Sequence, residues 1–259
     1  MIYEVFVMLR ILQARWKQGF RTVGFPDTPP TLPKMHRGRP VCDATKCQAG
    51  CKACVDACPT GAITRKGKAV SIDLGKCLFC TDCTDACPAK AIEFTNEYRM
   101  ATRGRSDLVA DDRAYAVAKA LDGEARRLFG RSLKLRQVSA GGCNACEADT
   151  NVLGTIVFDL GRFGIQFVAS PRHADGLLIT GPVPPNMELA LKKTYEAVAS
   201  PKLVIAVGAC AISGGIFAGN PEEGKGASEV VPVDLYIPGC PPHPITILDG
   251  MLRLLGRIE

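Results

Sequence analysis

The sequence predicts two domains, an α+β domain built from two similar halves and a following α/β domain with a parallel sheet. Three observations carry this prediction. Twelve of the 13 cysteines fall into three groups of four, the first two groups lie in an internal repeat, and strand patterns alternate with helix patterns in the second half. A length of 259 residues is consistent with one or two domains.

The composition excludes several classes of protein. A hydrophobic fraction of 47% and a charged fraction of 22% are ordinary for a soluble protein with a core. The odd cysteine count, the CxxC repeats and the lack of an export signal disfavour disulfides and favour metal binding. The most apolar run, residues 203–219, is too short for a bilayer span of about 20 residues. No motif indicates nucleic-acid binding.

Residues 1–40 are predicted to form a basic amphipathic helix followed by a proline-rich strap. This region has seven Lys and Arg residues against Glu4 and Asp27, so it carries +5 of the formal net charge of +6. Apolar residues recur at near-helical spacing at Val5, Met8, Leu9, Leu12, Trp16 and Phe20. Such a helix favours a membrane surface or a membrane subunit, and the alternative is an ordinary docking helix in a soluble complex.

An internal repeat lies within residues 41–96. The segment CKACVDACPTGAI at 51–63 matches CTDCTDACPAKAI at 80–92. The second run has the full bacterial ferredoxin spacing, in which the fourth cysteine ligates the other cluster. Residues 41–96 are therefore predicted to form a ferredoxin-like domain with two [4Fe–4S] sites. Their ligands are Cys77, Cys80, Cys83 and Cys58 for one site, and Cys47, Cys51, Cys54 and Cys87 for the other.

The first run departs from this spacing, because three residues separate Cys47 from Cys51 where the pattern has two. Gly50 would let the longer loop close. Cys42 is an alternative ligand, although eight residues separate it from Cys51. We expect Cys47 to be the ligand and Cys42 to be a buried thiol. A three-iron cluster at this site and structural zinc sites are the other interpretations.

The remaining chain predicts a linker helix over residues 97–130 and an α/β domain over residues 131–259. The linker is charged and rich in alanine, and Gly130 ends it. In the α/β domain, strands are predicted at 133–139, 165–170, 175–181, 202–209 and 233–238, and helices at 147–163, 186–199 and 245–257. This alternation is typical of a doubly wound, flavodoxin-like parallel sheet.

The last four cysteines lie at the ends of predicted strands. Cys143 and Cys146 follow the first strand of the α/β domain, Cys210 ends a later one and Cys240 follows the last. Open α/β sheets gather their ligands at the carboxyl ends of strands. Adjacent glycines allow a close approach of the backbone. These four cysteines therefore predict a third [4Fe–4S] site.

Four segments of the α/β domain resemble the small subunit of membrane-bound, energy-converting (group 4) [NiFe] hydrogenases. They are GGCNACEAD, SPRHADGLLITGP, VIAVGACAISGG and IPGCPPHP. Those subunits are similar in turn to the cluster-bearing subunit next to the quinone site of respiratory NADH:quinone oxidoreductase. Residues 1–96 resemble the two-cluster ferredoxin subunit of the same complexes. The chain therefore looks like a fusion of two subunits that are often separate.

The resemblance has implications for individual residues. The spacing Cys143-x2-Cys146 favours the hydrogenases, since the quinone-reducing relatives carry two adjacent cysteines in place of this CxxC. The presence of His173 also favours the hydrogenases. The third cluster would then be the proximal one, facing a Ni–Fe site on a separate large subunit. The resemblance also implies a proton-relay role for Glu147, beside Asp149. The alternative is an acid that complements the first turn of a helix.

We therefore expect an electron-transfer subunit of a membrane-associated [NiFe] hydrogenase, part of an oxidoreductase with no Ni–Fe site of its own. Its expected partners are a large subunit, a membrane subunit contacted by the basic helix, and an external electron donor or acceptor protein. Its expected place is the cytoplasmic face of the cell membrane. The alternatives are a subunit of a quinone-linked, complex-I-like oxidoreductase without Ni–Fe, and a free-standing ferredoxin-like carrier or redox sensor.

Overall fold

The computed structural model of this chain describes residues 2–111 and 114–259, and the side chains from Leu9 onward within those ranges. Helix α1 (Ile2–Gln18) opens the chain as predicted. The predicted apolar positions Val5 and Met8 lie outside the described side chains. Every side chain from Leu9 to Phe20 is exposed, so this part of the helix is not buried against any element that the structure describes. No described helix has the length and hydropathy that a bilayer span requires.

The strap, residues 19–39, connects the two domains. Its first part contacts the α/β domain, where Phe25 is buried and the guanidinium of Arg162 donates hydrogen bonds to the carbonyls of Val23 and Phe25 at 2.8 and 2.7 Å. Its last part contacts the ferredoxin domain, where Gly38 N–H donates to the carbonyl of Thr95 at 2.7 Å. The strap is therefore held at both ends by hydrogen bonds to its backbone.

The ferredoxin domain is small and antiparallel. Its elements are β1 (Pro40–Cys42), α2 (Ala53–Asp56), β2 (Ile63–Lys66), β3 (Ala69–Asp73), α3 (Asp82–Asp85) and β4 (Ile92–Phe94). Strand β1 pairs with β4, and β2 pairs with β3 through a turn at Gly67, whose φ is +64°. A further strand, β5 (Val109–Ala110), pairs with β3. The helices α2 and α3 occupy equivalent places in the two halves of the repeat.

The predicted linker helix over 97–130 is wrong for most of its length, because its described residues form one α-helix, α4 (Gly123–Phe129), and one short 3-10 helix, Arg105–Asp107. Asp112 and Arg113 lie outside the described residues. The backbone upstream of α4 bonds to distant segments instead. Thr102 exchanges two backbone hydrogen bonds with Tyr236, and Leu121 N–H donates to the carbonyl of Leu254 at 2.9 Å. This tertiary pairing outweighs the modest helix propensity of an alanine-rich sequence.

The α/β domain contains a five-stranded parallel sheet, as predicted. Its elements are β6 (Leu133–Ser139), α5 (Ala145–Val152), β7 (Ile165–Phe167), β8 (Gly176–Thr180), α6 (Pro185–Ala197), β9 (Leu203–Val207), α7 (Ala209–Ser213), β10 (Leu235–Ile237) and α8 (Pro244–Leu254). The strand order is β7-β6-β8-β9-β10, and all pairs are parallel. The order reverses between β6 and β8, so their carboxyl ends flank the crevice where such sheets bind ligands.

The two domains share one hydrophobic core. The buried cluster around Leu74 and Phe79 of the ferredoxin domain continues into Ile179 and Ile212 of the α/β domain. The hydroxyl of Ser213 in α7 donates to the carbonyl of Gly75 at 2.8 Å. A Cβ atom on Gly75 would lie 2.8 Å from Ile212 Cγ2, so the domains approach closely here. The cysteines of one domain are thereby held at a fixed position relative to those of the other.

Candidate iron–sulfur sites

The first group of thiols lies between the two halves of the ferredoxin repeat. Cys47, Cys51, Cys54 and Cys87 line one cavity. Burial, together with the negative charges of the other three thiols, raises the pKa of Cys54. The structure therefore brings together the four residues predicted for the first site, although Cys87 belongs to the second run of the sequence.

Cys42 lies beside this group. Burial and then the charge of Cys47 raise the pKa of Cys42 to about 12, and the two side chains are hydrogen-bonded. Cys42 belongs to β1, opposite Ile92 of β4, and Cys47 rather than Cys42 lines the cavity. This placement favours Cys47 as the ligand, and the assignment stays a prediction.

The second group shows the complementary exchange between the repeats. Burial raises the pKa of Cys77 to about 12 and that of Cys83 to about 11, and in both cases the charge of Cys58 adds to the increase. The charge of Cys80 also raises both pKa values. Cys58 from the first run thus lies with the three cysteines of the second run, as the ferredoxin spacing predicts.

Backbone N–H groups point at the cysteine sulfurs in both halves. Ala62 N–H lies 3.2 Å from Cys58 Sγ, and Ala91 N–H lies 3.3 Å from Cys87 Sγ. Cys77 Sγ accepts a similar hydrogen bond from Phe79 N–H at 3.4 Å. Such donors stabilise thiolates and tune the reduction potential of a bound cluster.

Two left-handed backbone positions recur in both repeats despite different residues, although the loops differ at Lys52 and Thr81, whose φ values are −122° and +74°. Gly50 and Phe79, which directly precede Cys51 and Cys80, have φ values of +75° and +55°. Later in the repeats, Gly61 and Lys90 have φ values of +59° and +48°. A left-handed conformation is unfavourable for Phe and Lys. The left-handed backbone at these two positions is therefore kept even though the second repeat has no glycine there.

The third group lies at the carboxyl ends of β6, β9 and β10. Burial raises the pKa of Cys146 above its usual range, and the charges of Cys210, Cys240 and Cys143 add to the increase. Cys143 and Cys240 are exposed, whereas Cys146 and Cys210 are half-buried. The four cysteines predicted from strand ends are therefore neighbours, and one side of the group faces outward.

One CxxC conformation serves both the second and the third group. Asn144, after Cys143, has φ +71° and ψ 0°, and Thr81, after Cys80, has φ +74° and ψ 0°. Each of the two residues is the N-cap of the short helix that carries the next cysteine. The sequence has no glycine at either position, so this left-handed start was not predicted.

Two glycines leave room for the sulfurs of the third group. A Cβ atom on Gly208 would lie 2.5 Å from Cys146 Sγ, and one on Gly215 would lie 2.8 Å from Cys210 Sγ. Both residues also have positive φ values, +89° and +58°. Glycine at these positions therefore satisfies both a backbone requirement and a packing requirement.

The second and third groups are adjacent across the domain boundary. Burial raises the pKa of Cys240, and the charges of Cys143 and then Cys80 add to the increase. An open cleft of about 330 Å³ lies at this boundary. Its lining includes Phe79, Met100, Asp149, Cys240, His36 and His243. The three groups therefore form a series in which the second group lies next to both of the others.

Among the described residues, no three His, Cys, Asp or Glu side chains are placed to hold a single metal ion. Cubic iron–sulfur clusters take four thiolates from cysteine. The donor type and the number of thiols fit such a cluster in all three places, and the N–H donors to sulfur support it for the first and second groups.

Glu147 is buried beside the third group, with 5% of its surface exposed. Its Oε1 accepts hydrogen bonds from Ser139 Oγ and Thr180 Oγ1, both at 2.6 Å. These hydroxyls belong to the last residues of β6 and β8. The sequence analysis did not identify Ser139 or Thr180 as partners of Glu147. An acid that only complements the positive end of a helix does not require hydrogen bonds to the sheet. The two bonds from Ser139 and Thr180 therefore go beyond that interpretation. Burial also raises the pKa of Asp149, which lines the cleft.

The histidines occupy different environments. His173 is exposed in a short 3-10 helix, Pro171–His173. His243 is half-buried, and its ring packs edge-on against that of His36 from the strap, with centroids 5.4 Å apart. Burial lowers the pKa of both His36 and His243. This contact between the strap and α8 was not predicted.

Comparisons with known proteins agree with these two domains. The family model of the NADH ubiquinone oxidoreductase 20 kDa subunit matches residues 143–254, and that of the 4Fe-4S dicluster domain matches residues 46–91. The probable membrane-bound hydrogenase subunit mbhJ of Pyrococcus furiosus is 40% identical over 132 residues, which are 51% of this chain and 79% of that protein. This chain belongs to the NADH ubiquinone oxidoreductase 20 kDa subunit family. The predicted resemblance is thereby confirmed.

Two further relatives show which kinds of protein this chain is similar to. Formate hydrogenlyase subunit 7 of Escherichia coli is 44% identical over 129 residues, covering 50% of this chain and 51% of that protein. An NADH-quinone oxidoreductase subunit of Citrifermentans bemidjiense is 45% identical over 117 residues, covering 45% of this chain and 68% of that protein. Each match spans about half of this chain, which in addition carries a dicluster domain.

Proposed function

We propose that this chain is the electron-transfer subunit of a membrane-associated [NiFe] hydrogenase complex. It relays electrons through three [4Fe–4S] sites to or from a Ni–Fe centre on a partner large subunit, so that the complex evolves or oxidises H2. The single observation that carries this proposal is the cleft at the domain boundary, which is lined both by Phe79, directly before Cys80 of the ferredoxin domain, and by Cys240 of the α/β domain.

The chain supplies all the protein ligands that this relay needs. The three sets are Cys47, Cys51, Cys54 and Cys87; Cys58, Cys77, Cys80 and Cys83; and Cys143, Cys146, Cys210 and Cys240. A bound cluster at each site would supply a centre that gains and releases electrons. The residues around the sets hold the sulfurs in place, exclude water from the more buried thiols and direct N–H groups at three of the sulfurs.

The outward side of the third group supports a large subunit as the partner there. Cys143 and Cys240 are exposed, and the nearby loop after Cys210 presents Ile216 and Phe217 with 59% and 37% of their surface exposed. Exposed apolar side chains beside functional residues are typical of protein–protein interfaces. The Ni–Fe centre of a partner would lie against this surface.

Glu147 is the residue of this chain best placed to hold a proton at that interface. Ser139 and Thr180 fix the position of its carboxylate by donating to Oε1, so Oε2 is the atom that would hold the proton. Burial is the main cause of the raised pKa values of Cys146 and Cys210, and the negative charge of Glu147 next to them adds to the increase. A carboxylate so close to the third group would be coupled electrostatically to any charge change there.

The N-terminal helix supports a location at the cytoplasmic face of the cell membrane. Arg10, Arg15 and Lys17 accompany exposed apolar side chains, of which Trp16 is 90% exposed and Phe20 85%. A helix of this kind binds anionic lipid surfaces or the membrane subunit of a complex. It contacts no other element of this chain through the side chains described, so its apolar residues are free for such a partner.

A quinone-linked oxidoreductase without Ni–Fe is the second candidate, and the similarity to the NADH-quinone oxidoreductase subunit of Citrifermentans bemidjiense favours it. The CxxC spacing of Cys143 and Cys146 favours the hydrogenase, because the quinone-reducing relatives carry two adjacent cysteines there. A free-standing carrier or redox sensor accounts less well for an exposed apolar helix and an outward-facing third group.

Purification of the intact complex from its host tests this proposal. We expect nickel and about twelve irons per copy of this chain, together with H2-dependent reduction of methyl viologen. About eight irons would contradict the three-cluster assignment. A complex with about twelve irons, no nickel and quinone-dependent activity would instead support the second candidate.

A further inference from the structure

Arg37 of the strap contacts the cysteine loop of the second thiol group. Its Nη1 donates to the carbonyl of Phe79 at 2.9 Å and to that of Cys80 at 3.4 Å. Arg37 also lines the cleft at the domain boundary, together with Phe79 and Cys240. The repeat does not account for this contact, because Arg37 precedes both of its halves in the chain.

The backbone next to Arg37 is held against the ferredoxin domain. Gly38 N–H donates to the carbonyl of Thr95 at 2.7 Å, and Arg39 N–H donates to that of Glu97 at 2.8 Å. A Cβ atom on Gly38 would lie 2.3 Å from the carbonyl oxygen of Glu97, so the strap lies directly against this segment. The guanidinium of Arg37 is therefore presented to the cysteine loop from a fixed backbone.

The loop that Arg37 contacts has an unfavourable backbone conformation. Phe79 has φ +55°, whereas the first repeat has Gly50, with φ +75°, at the equivalent position before its cysteine. A left-handed φ is strained for Phe and not for Gly. Phe79 is buried, and its ring packs against that of Phe94 with centroids 5.9 Å apart. The hydrogen bonds from Arg37 and this packing together offset the strain.

Phe79 connects the guanidinium to a ligand sulfur. Its carbonyl accepts from Arg37, and its N–H donates to Cys77 Sγ at 3.4 Å. Among the residues that the structure describes, no carboxylate forms an ion pair with Arg37. A guanidinium stays positively charged at any working pH. One-electron reduction adds a negative charge to a bound cluster, so nearby positive charge and hydrogen-bond donors favour the reduced state.

We propose that Arg37 is a positioning residue, which holds the cysteine loop of the second group and raises the reduction potential of its cluster. This inference rests on the proposed relay, in which the second group lies next to both of the others. A cluster in the middle of a series takes electrons from one neighbour and passes them to the other. Its potential therefore affects how electrons are distributed along the whole series.

Redox titration of the intact complex, followed by electron paramagnetic resonance, tests the proposal. The signal of the second cluster is identified as the one that changes in Cys77→Ser. At the midpoint potential of the unmodified second cluster, Arg37→Gln should lower its ratio of reduced to oxidised form about threefold to tenfold. This is a shift of about 30 to 60 mV to more negative potential, since a tenfold change is about 59 mV for a one-electron couple.

The expected shift is modest because the side chain of Arg37 is exposed and solvent screens its charge. The potentials of the first and third clusters should stay unchanged in Arg37→Gln. Arg37→Lys retains the charge and a donor but not the planar fork, so it should shift the second cluster less than half as far.

Lys34→Gln is the matched control, because it removes one positive charge from another exposed side chain of the strap. It should leave all three potentials unchanged. The proposal is overturned if Arg37→Gln and Lys34→Gln give the same potential for the second cluster, or if Arg37→Gln shifts all three clusters equally.

Iron is counted in every variant. Loss of about four of about twelve irons in Arg37→Gln, with retention in Arg37→Lys, would support the role of Arg37 in holding the loop. The same loss in Lys34→Gln would overturn it, because any charge removed from the strap would then have this effect.

Failure of this proposal is distinguishable from failure of the proposed function. The potentials are read from the clusters of this chain and do not depend on what the partner subunit catalyses. A shifted second cluster in a complex without nickel would retain the role of Arg37 and reject the hydrogenase. H2 formation together with equal potentials in Arg37→Gln and Lys34→Gln would do the reverse.

Discussion

The carboxylate of Glu147 accepts a hydrogen bond from the Thr180 hydroxyl at 2.6 Å, across the crevice between α5 and the end of β8. Ser139 at the end of β6 donates a second bond to the same oxygen, Oε1. The acid is therefore fixed by both strands at which the sheet order reverses, directly beside the third thiol group.

The variant Glu147→Gln tests whether this carboxylate carries protons. The amide is nearly isosteric and retains an oxygen that accepts from the hydroxyls, but it has no titratable proton. We expect H2 evolution to fall by about 10² or more, the usual effect of losing an acid–base group. Iron content and the rate of cluster reduction should stay unchanged. A variant Thr180→Val, which removes only a positioning bond, should have a smaller effect. Full activity in Glu147→Gln would leave the residue a purely structural role.

The choice between Cys42 and Cys47 is tested by a pair of serine variants. Because Cys47 lines the first cavity with Cys51, Cys54 and Cys87, Cys47→Ser should lose about four of about twelve irons or convert the site to a three-iron cluster. Cys42→Ser should retain its iron. Iron analysis and electron paramagnetic resonance give the readout. The opposite pattern, with loss only in Cys42→Ser, would assign the fourth ligand to Cys42.

Short, strongly patterned features were predictable from the sequence. Strand β6 was predicted with the bounds that it has, Leu133–Ser139, and ferredoxin spacing predicted that Cys58 and Cys87 exchange between the repeats. Features that depend on distant backbone partners were not predictable. The segment before α4 has helical composition, yet Thr102 pairs with Tyr236. The predicted helix at 147–163 ends at Val152, after which the chain turns.

The side-chain contacts between neighbouring strands and α5 could not be predicted from the sequence either. Thr180 ends β8 as a polar residue after apolar ones, which is a usable but weak signal, whereas Ser139 ends a strand of mixed polarity. Nothing in the sequence indicated that both would bond to Glu147, since the three residues become neighbours only through the parallel order of the strands. The grouping of the cysteines was predictable, and the residues that hold the acid beside them were not.

Burial of Asp234 predicts a dependence of stability on pH. Burial raises the pKa of this carboxyl, although its Oδ2 accepts from Val204 N–H at 2.8 Å. A raised folded-state pKa means that the ionised form is disfavoured in the folded chain. Its favourable contribution is thus present below the unfolded-state pKa of about 3.9 and is lost as pH rises through the folded-state pKa.

The variant Asp234→Asn should therefore be at least as stable as the unmodified chain at pH 7, because it stays neutral and retains the acceptor oxygen. Its advantage should shrink as the pH falls toward about 4. Thermal unfolding of the full chain at several pH values measures this difference. Asp27→Asn, at an exposed position, should show no such trend. A lower melting temperature for Asp234→Asn at pH 7 than at pH 4, relative to the unmodified chain, would contradict the assignment.

Gly208 offers the sharpest test of how the third group is built. A Cβ atom there would lie 2.5 Å from Cys146 Sγ, and the φ of +89° is strained for any residue with a side chain. Gly208→Ala should therefore displace Cys146 and lose about four of about twelve irons, while the two ferredoxin-type sites keep theirs.

Gly219→Ala provides the matched control for this substitution. Its φ is similarly positive, +95°, but a Cβ atom would have nothing within 4 Å. Both variants therefore bear a backbone cost of roughly 1–3 kcal/mol, and only the first crowds a sulfur. We expect iron loss in Gly208→Ala alone, measured by iron analysis and by the loss of one paramagnetic signal on reduction. Equal iron loss in both variants would mean that backbone strain, and not contact with Cys146, governs this site.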